Sequence, residues 1–294
     1  MSFRRITIFI LILILVLPLV GCEDDTLING EDVIYLPTTE YRVFDIVNGG
    51  AEDLKYEYEY DSHGSVIRTE MSTKVRIFYT TNLIVDTTYV YDDNNRITKE
   101  TSHEEYSKSF VGTTISDFGN DYIYNENGLL VKSIPISNGD YIFKEFNYVY
   151  DSNGNCIKEN VVYNSSGNSA LNREFEYDSN GFLIKEIHYS SYEDSALNYK
   201  ANEIVYTYDE SQRLESKKNM FYDYNYETGA AESSGHSEAF YTYDKQNRII
   251  KEESKIYNTK GEYKQGTTKT YEDFITIPLN DYVADPITVT KRED

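Results

Sequence analysis

The chain has 294 residues, with 50 acidic side chains against 28 basic ones and a formal net charge of −22. This excess of acid argues against a nucleic-acid partner, because phosphate contacts need concentrated Lys and Arg. Two cysteines cannot build a disulfide framework, so the fold must be held by its own core. The chain also has 30 tyrosines, a residue type that favours strands and half-buried surfaces.

Residues 1–21 have the pattern of a secretory signal peptide. Arg4 and Arg5 precede an apolar run over residues 6–17 that only Thr7 interrupts. This run is shorter than the roughly 20 residues that cross a bilayer. The sequence Leu-Val-Gly-Cys that ends at Cys22 resembles the lipobox of bacterial lipoproteins. The resemblance implies cleavage before Cys22, acylation of this cysteine with palmitate-type chains, and anchoring in the outer membrane. An uncleaved anchor helix with an incidental cysteine is the alternative.

Residues 22–32 are expected to form an acidic tether between the anchor and the folded domain. Glu23, Asp24 and Asp25 follow the cysteine directly. This cluster resembles the acidic export signal of surface lipoproteins of Bacteroidota, which implies exposure at the cell surface. An ordinary solvated tether explains the same residues. The acidic folded domain is expected to lie away from the membrane surface, because anionic lipid headgroups repel it.

A tyrosine-rich motif recurs seven times, 26 to 35 residues apart. In each copy two aromatic residues flank one position and are followed by Asp or Asn, with Gly, Asn or Gln three residues later. An aliphatic residue or Cys and then a residue that is usually Lys complete the motif. The copies begin at Tyr58, Tyr89, Tyr122, Tyr148, Phe175, Tyr206 and Tyr241. A regular spacing with variable insertions is typical of repeat proteins.

Each motif predicts a β-hairpin. Asp or Asn suits the first corner of a type I turn, and Gly or Asn three residues later tolerates the positive φ of a bulged three-residue loop. Gln212 does not fit this position, so we expect strain or a different loop there. The turn pairs the second aromatic with the aliphatic residue and the first aromatic with the Lys. Both aromatics, the aliphatic residue and the Lys are therefore expected on one face.

This pattern resembles the YD repeat of Rhs-type and teneurin-like proteins over residues 54–260. The resemblance implies successive hairpins in one continuous, spiralling sheet. No part of this chain resembles the self-cleaving segment or the toxin of large family members. We therefore predict an all-β domain over residues 33–294, an antiparallel meander of about seven repeated β-hairpins forming one long, twisted and curved sheet.

Three segments have strand character without the full motif, at residues 33–36, 41–46 and 269–277. They are expected to cap the terminal edges of the sheet, which otherwise invite pairing with other chains. Cys156 occupies an aliphatic position in its repeat and is expected to be a small buried hydrophobe.

The sequence contains no HExxH, CxxC or phosphate-binding glycine loop. Carboxylates at Asp92 and Asp223 offer oxygens to Ca²⁺, but the first belongs to a predicted turn. We therefore expect no catalytic residues, no metal site and no cofactor. Tyr222, Tyr224 and Tyr226 have no role in the repeat and are the candidate ligand-binding residues, on a long aromatic loop.

These features predict a non-enzymatic, lipid-anchored surface protein that presents aromatic rings to a glycan or a protein partner. Its partners are then the membrane, through acylated Cys22, and a carbohydrate. The main alternative is a structural or assembly component that pairs with an envelope protein through a sheet edge. An enzyme with a site spread over loops is a third hypothesis.

Overall fold

The computed structural model describes residues 33–46, 50–74, 81–108, 112–137, 140–141, 144–190 and 198–278. The predicted signal peptide and tether, including Cys22, lie outside these residues. The described segments form strands and turns, and they contain no helix that could span a membrane. The strands are β1 (Val33–Ile46), β2 (Gly50–Tyr60), β3 (Val66–Lys74), β4 (Thr81–Tyr91), β5 (Ile97–Lys108), β6 (Gly112–Tyr124), β7 (Leu130–Ser137), β8 (Asp140–Tyr141), β9 (Lys144–Tyr150), β10 (Cys156–Tyr163), β11 (Ser169–Tyr177), β12 (Leu183–Ser190), β13 (Tyr199–Tyr208), β14 (Leu214–Asn225), β15 (Ala230–Tyr243), β16 (Ile249–Asn258) and β17 (Tyr263–Pro278).

The sheet closes into a barrel. Strand β1 pairs with β2 on one side and with β17 on the other, and Thr39 lies opposite both Glu57 and Glu272. Both β8 and β9 pair with β7, so they occupy one position and the barrel has 16 strands. The predicted all-β antiparallel fold is confirmed, but the strands close into a barrel and do not form the long, twisted and curved sheet of about seven hairpins that was expected. The terminal strands do not cap two separate edges but pair with each other, which satisfies the backbone groups that an open edge exposes.

The seven repeat turns have one geometry. At Asp61 the carboxylate Oδ1 accepts hydrogen bonds from the backbone N–H groups of His63 and Ser65, both at 2.9 Å. The corresponding Asp or Asn makes the same two contacts in the other six turns. Gln212 adopts a φ of 62° and keeps both turn contacts, so no different loop forms there. Asn258 begins an eighth turn of this kind, which the sequence analysis did not recognise.

A β-bulge directly after each turn changes which residues share a face. Tyr60 lies opposite Val66, but Glu59 lies opposite Arg68 and Tyr58 opposite Thr69. The extra residue on the second strand moves the Lys position to the outer face, so the prediction that this Lys joins the aromatics is wrong. The first aromatic pairs instead with the next residue along the chain, which is Thr69, Glu100, Ser133, Glu159, Glu186, Lys217 or Glu252.

The second tyrosine of a repeat links its hairpin to the preceding one. Its hydroxyl donates a hydrogen bond to the backbone carbonyl of the aliphatic position in the earlier repeat. The five bonds of this kind run from Tyr124 to Ile97, Tyr150 to Leu130, Tyr177 to Cys156, Tyr208 to Leu183 and Tyr243 to Leu214, at 2.7 to 2.9 Å. The phenol therefore buries its ring on the inner face without leaving its hydroxyl unpaired.

One half of the inner face is apolar. Tyr56, Met71, Leu83 and Val85 form one buried cluster across β2–β4. Ile97, Tyr122, Leu130 and Tyr148 form a second across β5–β9, and Cys156 packs against it. Burial raises the pKa of the Cys156 thiol to about 11, consistent with the predicted role as a small hydrophobe.

The outer face mixes charged and apolar side chains. Arg68 contacts Glu70 and Asp86, each at 2.6 Å. His103 contacts Asp117 at 2.6 Å, and Lys218 contacts Glu238 at 2.9 Å. Isolated hydrophobics such as Val90 and Ile115 are exposed between them.

Candidate functional site

The three tyrosines predicted to bind a ligand share the outer face at one end of the barrel. Tyr222 and Tyr224 belong to strand β14, and only Tyr226 lies in the turn that follows, so the expected long aromatic loop is mostly strand. Alternation along β14 places Tyr222 and Tyr224 on the same side as Lys218, whose ion pair with Glu238 is on the exterior. Tyr226 is 81% exposed.

Neighbouring residues on β13 extend this surface. The Tyr199 ring lies 5.1 Å from that of Tyr224, and Tyr226 meets Tyr224 edge to face at 5.0 Å. The ammonium of Lys200 lies 4.3 Å from the centre of the Tyr222 ring. We call Tyr199, Lys200, Tyr222, Tyr224 and Tyr226 the outer tyrosine patch.

Lys200 is held in place by an ion pair as well as by its contact with the Tyr222 ring. Its Nζ lies 2.8 Å from Glu203 Oε2, and this hydrogen bond raises the pKa of the lysine. Nearby on the same face, the Tyr189 hydroxyl donates to Glu174 at 2.6 Å. The patch therefore combines aromatic rings with ammonium and carboxylate groups at its border.

The turn after β14 fixes the position of Tyr226. The side-chain oxygen of Asn225 accepts hydrogen bonds from the backbone N–H groups of Glu227 at 2.8 Å and Thr228 at 3.2 Å. Gly229 closes the turn with a φ of 69° and donates to the Asn225 carbonyl at 2.9 Å. The most exposed ring of the patch is thus carried on a hydrogen-bonded turn, which reduces the ordering cost of binding.

Tyr199 and Lys200 were not predicted from the sequence, because they occupy no position of the repeat. The register of β13 on β14 would have indicated Tyr199. Tyr206 lies opposite Lys217, and continuing this antiparallel pairing along β13 and β14 brings Tyr199 beside Tyr224.

A second group of polar residues lies on the inner face from β10 to β17. We call Glu159, Arg173, Glu186, Lys217, Glu252 and Lys269 the inner charged wall. Arg173 pairs with Glu159 and lies 3.4 Å from Glu186, and Lys269 lies 3.1 Å from Glu252. The three glutamates are buried, at 2 to 8% exposed. Buried carboxylates are tolerated here because partners of opposite charge compensate for their desolvation.

Glu186 contacts Arg173, His188 and Tyr206. His188 Nε2 lies 2.6 Å from one of its oxygens, and the Tyr206 hydroxyl donates to the other at 3.0 Å. Burial alone would raise the pKa of Glu186, but contacts with His188, Arg173 and Tyr206 lower it. This wall was not predicted from the sequence, because the Lys of each repeat was expected on the inner face.

The carboxylate of Asp92 is occupied by its own turn. It accepts from the backbone of Asn94 and Arg96 and from the Arg96 guanidinium. Asp223 lies within strand β14 and not in a turn. Across the described residues, no group of three or more His, Cys, Asp or Glu side chains is arranged to hold a metal ion.

No protein-family model matches the chain, and no curated protein matches it. Similar solved structures include a porin-like protein from Bacteroides uniformis, with 8% identity over 80% of this chain and 97% of that one, at a TM-score of 0.33. The Tc holotoxin pore of Photorhabdus luminescens has 12% identity over 75% of this chain and 12% of that one, at a TM-score of 0.29. A TcdB2–TccC3–Cdc42 complex has 11% identity over 78% of this chain and 19% of that one, at a TM-score of 0.29. Superpositions at these TM-scores carry no argument about the activity of this chain.

Proposed function

We propose that this chain is a lipid-anchored envelope protein of the YD-repeat type that binds glycans through the outer tyrosine patch. The lipid is carried by Cys22, and the barrel is held in water at the outer membrane, exposed at the cell surface. The protein acts as a binding module and not as an enzyme. Carbohydrate is the partner, because sugar rings stack on exposed aromatic faces while their hydroxyls bond to neighbouring charged groups.

The observation that carries this proposal is the cluster of four neighbouring tyrosines beside Lys200. The Tyr224 ring centre lies 5.1 Å from that of Tyr199 and 5.0 Å from that of Tyr226, and Tyr226 is 81% exposed. Single exposed hydrophobics on a surface are ordinary, but contiguous aromatic rings are typical of interaction sites.

The outer face supports a location in water. Arg68, Asp86, His103 and Asp117 point outward in ion pairs. Barrels that span a membrane carry instead an apolar outer band about 25 Å tall. A barrel in water at the membrane needs a separate anchor, and an acylated Cys22 supplies one.

Barrel closure favours the aromatic surface over assembly by strand addition. Addition of a strand needs an unpaired lateral edge. Each described strand, from β1 around to β17, has a neighbour on both sides, except the two-residue strand β8, which pairs only with β7. An aromatic surface needs no such edge.

Glycan-array binding tests the site. A triple variant with Tyr222→Ala, Tyr224→Ala and Tyr226→Ala should lose binding by at least about tenfold, because stacked rings supply much of the contact energy. Tyr41→Ala is the matched control, since this tyrosine is also exposed but lies on β1 outside the patch. Unchanged glycan binding by the triple variant, or an equal loss in the control, would contradict the proposed site.

A further inference from the structure

One lysine of the inner charged wall lacks the ion pair that its neighbours have. Lys217 lies opposite Tyr206 on β13 and opposite Ala239 on β15. Arg173 and Lys269 each contact a glutamate. Lys217 is half-buried. Within the described part of the chain it makes no ion pair and no hydrogen bond.

Two polar atoms beside Lys217 are also without partners. The Oδ1 atom of Asn219 and the hydroxyl of Tyr241 are buried and have no hydrogen bond. Asn219 is two residues beyond Lys217 on the same strand and face. Tyr241 is diagonal to Lys217 across the β14–β15 pair, since Ala239 is the direct partner. Buried polar atoms in native proteins are nearly always paired, so these two mark a place where a ligand or water completes the bonding.

The charges around Lys217 define what such a ligand must carry. Burial lowers the pKa of Lys217, and the nearby Lys269 lowers it further, whereas Glu252 and Glu186 oppose the shift. Both glutamates already have partners, namely Lys269 for Glu252 and His188 with Tyr206 for Glu186. A ligand carboxylate would therefore give Lys217 the direct ion pair that it lacks.

We propose that Lys217, Asn219 and Tyr241 form a ligand site inside the barrel for a small sugar acid. The ligand carboxylate accepts hydrogen bonds from the Lys217 ammonium and the Tyr241 hydroxyl. A hydroxyl group of the ligand donates to Asn219 Oδ1. Barrels of 16 strands are in general too wide for side chains to fill, which leaves room inside for a molecule of this size. The site is separate from the outer tyrosine patch, and neither proposal depends on the other.

Calorimetric titration of the purified protein with glucuronate and with glucose tests this site. Glucuronate should bind at least tenfold more tightly than glucose, because only the acid provides a carboxylate for Lys217. Lys217→Met should weaken glucuronate binding by at least about tenfold while preserving the side-chain volume. Lys218→Met is the matched control, since Lys218 is the next residue and faces outward to Glu238.

Tyr241→Phe separates binding from folding. The Tyr241 hydroxyl has no partner in the free protein, so its removal should leave the melting temperature unchanged or raised. Glucuronate binding should nevertheless fall severalfold. The proposal is overturned if glucuronate does not bind saturably, if glucose binds equally well, or if Lys217→Met and Tyr241→Phe both bind glucuronate as the parent does.

Discussion

The glycine position of the repeat turn allows a test with opposite signs at equivalent sites. Gly181 has a φ of 87°, and Gln212 holds the same position in the β13–β14 turn with a φ of 62°. A Cβ at Gly181 would meet nothing within 4 Å, so the cost of a side chain there is conformational and not steric. The left-handed conformation costs a residue other than glycine about 1–2 kcal/mol.

Gly181→Val should therefore lower the free energy of unfolding by about 1–2 kcal/mol, since β-branching adds to the penalty. Gln212→Gly should raise it by about 0.5–1 kcal/mol, because relief of the positive φ exceeds the extra chain entropy that glycine loses on folding. Chemical denaturation followed by circular dichroism measures both changes. A midpoint for Gly181→Val equal to that of the parent, or a destabilised Gln212→Gly variant, would refute the reasoning.

Three further changes have defined outcomes. Gly119→Ala should destabilise the barrel by about 3 kcal/mol in the same assay, because its Cβ would lie 2.1 Å from the backbone oxygen of Glu100; a parent-like midpoint would contradict this packing. Burial raises the pKa of Asp244 but the Arg248 guanidinium and backbone N–H groups lower it overall, so its contribution to stability is present at neutral pH and is lost as pH falls below about 4. Asp244→Asn keeps the turn acceptor and should flatten the decline of the denaturation midpoint between about pH 5 and pH 2, and an unchanged slope would argue against it. Cys22→Ala should release the protein into the soluble fraction on cell fractionation, and persistence in the membrane fraction would contradict lipid anchoring.

The hairpins were predictable because their signals are local. Asp61 and Gly64 sit within four residues of each other, and the turn that they form needs only its own backbone and one carboxylate. The pairing of the second tyrosine with the aliphatic residue, as in Tyr60 and Val66, follows from the same turn.

The sheet face on which each residue after the turn lies was predicted incorrectly, because it depends on a β-bulge. One extra residue on the second strand turns Lys251 outward and Glu252 inward. A signal for this was present, since the residue after the Lys position is polar in all seven repeats, as Thr69 and Ser133 show. Polar residues at this inward position are tolerated because the first tyrosine of the next repeat bonds to them, as Tyr122 does to Glu100 and Tyr148 to Ser133.

Barrel closure and the outer tyrosine patch depend on contacts between distant parts of the chain. The pairing of Thr39 with Glu272 joins residues at opposite ends of the domain, and no local pattern specifies it. Tyr224 was a candidate from its sequence alone, but its neighbour Tyr199 follows only once the register of β13 on β14 is known.

The link from a second tyrosine to the carbonyl of the preceding repeat, as between Tyr208 and Leu183, makes the hairpin a modular unit of construction. Strand β1 must run antiparallel to β17. Duplication or loss of one whole hairpin would therefore preserve the alternating direction of the strands and change only the circumference of the barrel. A single added strand would instead leave the two ends running in the same direction. Gene duplication can thus change the size of such a barrel in steps of two strands, without altering the pairing of the other hairpins.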